Sequence, residues 1–209
     1  MYKKSIYFWE TKKAHSLSYF RKKMNFIIDN HIKIVPPKKH NTFFEEICPT
    51  IALAEKLNAK SVFFPNDNGP YDAKIRFSDK TPEQIIECTC ITNGYYEAKQ
   101  MEYLHEHHRV SLTALPETLN CKKIKDLLLS PEELIKNAIS RKEEKAKKNS
   151  DYKGAILLLV LSSNFIYGRN RRENLIKILK SFHYEGEIFK AVYLISENPL
   201  NTDEIFYKM

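Results

Sequence analysis

The 209-residue chain contains only five glycines and four cysteines, and it has no long apolar stretch. Its longest apolar run, 155–161, is far shorter than the roughly 20 residues of a membrane-spanning helix, so we expect no membrane partner. So few glycines exclude the glycine-rich loops that bind nucleotide phosphates, and we expect no organic cofactor. The cysteines form no disulfide framework and the N-terminus has no apolar signal segment, which predicts a reduced, cytoplasmic protein.

The net positive charge is concentrated at the N-terminal end. Residues 1–40 contain ten basic and two acidic side chains, and their net charge of +8 equals that of the whole chain. Such a segment attracts polyanions, and its aromatic side chains could stack on bases. The alternative is a solvated extension that docks on the body through those aromatics. Because Pro36 and Pro37 mark its end, we divide the chain into a basic extension, 1–40, and an α/β domain, 41–209.

The hydrophobic patterning predicts an α/β fold with a mixed central sheet. Strands are predicted at 61–64, 71–77, 84–92, 109–115, 155–161 and 188–195. Helices are predicted at 15–29, 42–58, 95–107, 130–148 and 171–182. Pro49 either kinks or starts the second helix, and Pro131 starts the fourth. Neighbouring strands early in the chain and helical crossovers later favour helices on both faces of the sheet.

The clearest exception to this patterning is Glu87, an acid inside an otherwise apolar strand. Because side chains alternate along a strand, Glu87 and Thr89 share one face, while Cys88 lies on the other. A buried acid is costly unless it is paired or bound to a cation. Asp72 stands near the start of the preceding strand, and an antiparallel pairing of the two strands makes both carboxylates converge. A hard divalent cation relieves their repulsion.

A purely structural interpretation of these acids also stays open. Asp72 can be a turn residue that caps backbone amides. Glu87 can be a buried acid that is paired with Lys74 or Arg76 across the strands.

The spacing of these acids resembles a nuclease motif. Asp72, then fourteen residues, then Glu87-Cys88-Thr89 is similar to the Asp…(Asp/Glu)-x-Lys motif of the PD-(D/E)XK nuclease superfamily, in a divergent branch with Glu-x-Thr. The order of predicted elements over 42–165 resembles its restriction-endonuclease-like core. The resemblance implies a nuclease that uses Mg²⁺ or Mn²⁺, with DNA favoured over RNA and a homodimer left open. It implies as metal ligands Asp72, Glu87, the Cys88 carbonyl and Glu46 or its neighbour Glu45.

Thr89 stands where the motif has a lysine. A threonine carries no positive charge to stabilise a phosphate in its transition state. The candidates for that role are Lys74, on the Asp72 face of its strand, and Lys142, on the later helix. If neither reaches the site, the alternative is an inactive relative that binds nucleic acid or a protein partner.

Basic residues elsewhere are candidate contacts for a phosphate backbone. Arg169, Arg171 and Arg172 follow a strand and open a helix, where backbone amides favour an anion. Lys22 and Lys23 belong to the basic N-terminal segment. For both groups the structural alternative is a solvated surface.

Overall fold

The computed structural model describes residues 14–23, 46–65, 71–91, 130–148, 152–161, 171–196 and 206–209. Seven strands in these residues form one sheet: β1 His15–Ser16, β2 Ser61–Phe63, β3 Ala73–Arg76, β4 Gln84–Ile91, β5 Ile156–Leu161, β6 Ala191–Ser196 and β7 Phe206–Lys208. Four helices accompany it: α1 over 17–23, α2 Cys48–Lys56, α3 Pro131–Lys148 and α4 Arg171–Ser181. The predicted α/β class with a mixed sheet is therefore confirmed.

The strands lie side by side in chain order, antiparallel at both edges and parallel in the centre. Strands β1 to β4 are antiparallel neighbours, and β7 is antiparallel to β6. Strands β4, β5 and β6 are parallel, and the chain passes through α3 and then α4 between them. Parallel neighbours require such crossovers, whereas antiparallel neighbours can be joined by short turns.

Two apolar cores cover the two faces of the sheet. On the α2 face, Phe20 of α1 and the buried side of α2 pack against β2 to β6. On the α3 face, α3 and α4 pack against β4, β5 and β6. Strand β5 is buried along its whole length, as expected for a central parallel strand. None of the described helices is both long enough and apolar enough to cross a membrane.

Element boundaries differ from the predictions at several points. The first predicted helix begins two residues later, because His15 and Ser16 pair with β2 as a short edge strand. Helix α2 begins at Cys48, so Pro49 lies in its first turn, and the predicted part of this helix before residue 46 lies outside the described residues. Strand β6 begins at Ala191, since the preceding residues make only isolated hydrogen bonds to Gly154 and Ala155. Strand β7 was not predicted, because three residues are too few to show alternation.

Some predictions fall on parts of the chain that the structure does not describe. These are the helix at 95–107, the strand at 109–115 and the boundary near residue 40. The described part of the basic segment, 14–23, contributes β1 to the sheet and Phe20 to the α2-face core. At least this part docks on the body through an aromatic side chain.

A capping box starts α3, the helix that carries Lys142. The Ser130 hydroxyl accepts a hydrogen bond of 3.2 Å from the backbone N–H of Glu133. In return, the Glu133 carboxylate accepts one of 2.7 Å from the backbone N–H of Ser130. Two amides that lack a partner within the helix are thereby satisfied, which defines where α3 begins.

We predict that Ser130→Ala lowers the free energy of unfolding by about 1 kcal/mol, because it removes the hydroxyl of this cap. Urea denaturation of the purified protein measures the change. Ser140→Ala is the matched control, since Ser140 is exposed in the middle of the same helix, where alanine is the better helix former. Equal effects of the two substitutions would contradict a role for the cap.

Candidate active site

Asp72 lies at the point where the pairing of β3 with β4 ends. The last paired residues are Ala73 and Ile86, and beyond them Oδ2 of Asp72 accepts a hydrogen bond of 2.7 Å from the backbone N–H of Cys88. The N–H and C=O of one residue point to the same side of a strand, so the Cys88 carbonyl also opens towards Asp72. The side chain of Asp72 therefore caps a backbone amide, and it does so across the sheet.

Glu87 is buried on the α3 face, with only 2% of its surface exposed. Its Oε1 accepts hydrogen bonds from Nζ of Lys142 at 2.6 Å and from Nζ of Lys145 at 3.1 Å. Among the described residues, its Oε2 has no hydrogen-bond partner. An ionised carboxylate can accept about four hydrogen bonds, so Glu87 keeps the capacity for a further cationic ligand.

Lys142 interrupts the apolar stripe of α3. The buried residues of this helix recur at helical spacing on either side of it: Ile135, Ala138, Ile139 and Ala146. Its side chain is 15% exposed, so its ammonium needs the Glu87 carboxylate as a partner. Lys145 is more exposed, at 56%, and its Nζ lies 5.0 Å from the centre of the Tyr152 ring. Against the lowering effect of burial, hydrogen bonds to Tyr152 and Glu87 raise the pKa of Lys145.

The charge of Glu87 acts on Asp72. Burial, followed by the charge of Glu87, raises the pKa of Asp72 to about 6. The hydrogen bond from Cys88 and the charges of Lys142 and Lys145 act in the opposite direction and do not cancel this effect. An acid whose ionisation is disfavoured by burial and by a second acid is stabilised in its charged form by a bound cation.

An arginine contacts Thr89, the position where the motif has a lysine. Thr89 is 8% exposed, and its Oγ1 accepts a hydrogen bond of 3.2 Å from Nη2 of Arg141. The sequence predicts Lys142 as a site residue but misses Arg141 and Lys145, which reach the same strand from the same helix. Their spacing is a signal that could have found them, because residues at i, i+1 and i+4 lie on one side of a helix.

Lys74, the other candidate for the lysine role, is engaged elsewhere. Its Nζ lies 3.4 Å from Oε2 of Glu83 and 4.7 Å from the centre of the Tyr71 ring. Arg76 also pairs with Glu83, at 2.6 Å. The expected pairing of Glu87 with Lys74 or Arg76 is therefore not the one found, because α3 supplies the partners of Glu87.

Of the remaining predicted ligands, the structure describes only Glu46. Glu46 lies two residues before α2 and acts on Cys88: burial, the charge of Asp72 and then that of Glu46 raise the pKa of the Cys88 thiol. A buried thiol with a raised pKa is a poor nucleophile, so the chemistry of this site rests on its carboxylates and cations. Glu45 lies outside the described residues.

Of the predicted phosphate contacts, Lys22 and Lys23 are not brought to this site. Lys22 and Lys23 are exposed on α1, which packs on the α2 face, whereas Lys142 and Lys145 approach Glu87 from the α3 face. The backbone of Arg171 and Arg172 begins α4, as predicted. Arg169 lies outside the described residues. The cations at the site are instead those of α3.

Known proteins offer no precedent for this geometry. No family model, curated protein or solved structure matches the chain. Nor do any three histidine, cysteine or acidic side chains in the described part of the chain converge into a cage for a metal ion. Mg²⁺ does not require such a cage, because one or two carboxylates with waters and substrate oxygens are sufficient. Asp72, the Cys88 carbonyl and the unpartnered oxygen of Glu87 fit that smaller donor set.

We predict that, without added metal, the ionisation of Asp72 lowers the free energy of unfolding as the pH rises from about 4 to about 6. The pKa of Asp72 is higher in the folded than in the unfolded chain, so between these values the folded state binds more protons. Asp72→Asn removes this titration and keeps an oxygen for the Cys88 N–H. The fall in unfolding free energy should therefore be smaller in the variant, by on the order of 1 kcal/mol for a half-buried group.

Urea denaturation of both proteins in EDTA at pH 4, 5, 6 and 7 measures this difference. Glu55→Gln is the control. Glu55 belongs to α2, on the opposite face of the sheet, and is paired with Arg21 of α1. Parallel stability curves for the wild type and Asp72→Asn would show that the pKa of Asp72 is not raised.

Proposed function

We propose that the protein is a metal-dependent phosphodiester hydrolase that cleaves nucleic acid. The observation that carries this proposal is the buried Glu87, whose Oε2 has no partner among the described residues and whose charge adds to burial in raising the pKa of Asp72. An acid buried only for stability is expected to have both oxygens satisfied. A divalent cation accounts for the unpartnered oxygen and for the closeness of the second acid.

The topology supports a restriction-endonuclease-like core for this chain. Helix α2 is followed by the antiparallel strands β2, β3 and β4, and the chain then passes through α3 into β5, which is parallel to β4. Asp72 precedes the second of these antiparallel strands, and Glu87 lies within the third. Both positions are those that the resemblance implies for the metal-binding acids.

Each residue of the site has a distinct role in the proposed reaction. Asp72, Glu87 and the Cys88 carbonyl would hold Mg²⁺ or Mn²⁺, and Glu46, whose charge acts on Cys88, is the candidate for an additional acid. When bound, the cation lowers the pKa of its water and neutralises charge that develops on the phosphodiester. The N–H of Cys88 orients the Asp72 carboxylate, and Lys142 holds Glu87 through Oε1, which leaves Oε2 for the ligand.

One observation favours the alternative, an inactive relative that only binds nucleic acid or a protein partner. Lys142 and Lys145 already neutralise Glu87, so the buried acid is compensated without a metal ion. Cleavage and binding of nucleic acid both require a polyanion near α3, but only the hydrolase requires a cation at the acids. Metal binding and cleavage therefore separate the two functions. A homodimer, which would allow two sites to cut two strands, stays a prediction.

We predict that the wild type cleaves mixed DNA and RNA substrates when Mn²⁺ or Mg²⁺ is added and that EDTA stops the reaction. Asp72→Asn and Glu87→Gln should each lower the rate at least about 100-fold, because each removes a charge that holds the cation. The matched control is Glu55→Gln, which breaks an ion pair on the opposite face of the sheet and should cleave normally.

Thermal unfolding gives a readout that is independent of cleavage. At about 100 times its dissociation constant, Mn²⁺ should raise the Tm of the wild type and of Glu55→Gln by about 5–10 °C. The same concentration should leave Asp72→Asn and Glu87→Gln nearly unchanged. If Mn²⁺ shifts no Tm and the wild type cleaves nothing, the hydrolase is excluded; salt-sensitive binding of nucleic acid would then favour the inactive relative.

A further inference from the structure

We propose that Arg141, positioned by Thr89, binds the phosphate of the substrate and so supplies the charge that the motif lysine would carry. This inference rests on the proposed function for its substrate, a phosphodiester of nucleic acid. It assigns roles to two residues: Arg141 contacts the phosphate, and Thr89 is the positioning residue that orients its guanidinium.

The contact between Arg141 and Thr89 lies next to Glu87 along β4. Glu87 and Thr89 are two positions apart on the same face of the strand, about 7 Å along its axis. Adjacent residues of α3 meet these two positions, since Lys142 contacts Glu87 and Arg141 contacts Thr89. The arginine therefore reaches the strand at the position of the missing lysine, immediately beside the two acids.

Arg141 is the cation of the site that no acid compensates. Lys142 and Lys145 share the Glu87 carboxylate, and Lys74 pairs with Glu83. In the described part of the chain, Arg141 contacts no carboxylate: its partner is the neutral hydroxyl of Thr89. Three cations of α3 thus face two acids, and the surplus positive charge attracts an anion.

The chemistry of the guanidinium indicates which anion that is. A guanidinium has five N–H donors in a planar fork, and the bond to Thr89 uses one of them. Arg141 is exposed, so the remaining donors are accessible from solvent. A planar pair of donors matches two oxygens of a phosphate, which an ammonium does not do. The hydrogen bond to the buried hydroxyl limits the orientations of the fork and holds it beside Thr89, two positions from Glu87 on β4.

Binding of a fluorescently labelled oligonucleotide in EDTA tests Arg141 without any metal or cleavage. The dissociation constant is measured over a series of salt concentrations for the wild type, Arg141→Gln and Arg141→Lys. Arg141→Gln should weaken binding and reduce the slope of log affinity against log salt by about 0.7–0.9, the value of one lost phosphate contact. Arg141→Lys should keep most of the slope because it keeps the charge.

The matched control is Lys136→Gln, which removes an exposed cation of the same helix that is paired with Glu132. It should change the slope by less than Arg141→Gln. An unchanged slope for Arg141→Gln, or the same loss for both variants, would overturn the assignment of a phosphate to Arg141. Circular dichroism spectra that superimpose with the wild type show that α3 is intact in each variant.

Thr89→Val and Thr89→Ser test the positioning role, because valine keeps the size of the side chain without the hydroxyl and serine keeps the hydroxyl without the methyl group. Thr89→Ser should behave like the wild type in the salt series. Thr89→Val should reduce the slope of log affinity against log salt in part. In an Arg141→Gln background it should reduce the slope no further, since both substitutions remove the same contact. Additive effects of the two substitutions would show that Thr89 does not act through Arg141.

Cleavage by the metal-loaded wild type and variants separates this inference from the proposed function. Arg141→Gln and Thr89→Val should lower kcat more than they change KM, and Thr89→Lys should restore cleavage in the Arg141→Gln background. A wild type that cleaves, with Arg141→Gln equally active, would refute the inference and leave the hydrolase standing. A wild type that cleaves nothing refutes the hydrolase, while the salt series still decides whether Arg141 binds phosphate.

Discussion

The ion pair between Glu87 and Lys142 is the interaction on which the site depends. Each residue alone would be a buried charge without a partner, because Glu87 interrupts the apolar β4 and Lys142 interrupts the apolar stripe of α3. Removing one partner of a buried pair costs about 3–5 kcal/mol, since it leaves the other charge uncompensated. The pair therefore holds α3 in one register on β4. That register in turn places Lys145 on Glu87 and Arg141 on Thr89.

The charges around this pair are arranged unevenly. Both lysines donate to the same oxygen of Glu87, and the other oxygen has no donor in the described residues. Asp72 is oriented by the N–H of Cys88, and its pKa is raised because it is partly buried and feels the charge of Glu87. A site built for stability alone would distribute its donors over all the acceptors. This distribution instead leaves one oxygen of Glu87 without a donor and a surplus of positive charge beside the acids. Both features agree with the proposed binding of a cation together with a phosphate.

Long helices and strands with a clear apolar pattern could be predicted from the sequence, whereas very short strands could not. Strands β4 and β5 and helix α3 were predictable, because each has a run of branched residues, a clear apolar period or a Ser-Pro start. Strands β1 and β7, with two and three residues, show no period of their own. They exist because an edge of the sheet offers unpaired N–H and C=O groups, a condition set by distant parts of the chain. The candidate acids were predictable for the opposite reason, since Glu87 contradicts the pattern around it.

The sequence by itself determined which residues are exceptional: an acid in an apolar strand, an aspartate at the start of the preceding strand, and a lysine on a later helix. Alternation along a strand and periodicity along a helix are local properties, so the faces of these residues could be derived from their neighbours. Only the tertiary structure decided the partners. Fifty-five positions separate Lys142 from Glu87, and Lys74, much nearer in the chain, pairs with Glu83 instead. Contacts over such separations depend on how a helix packs across a sheet, and no local pattern contains that information.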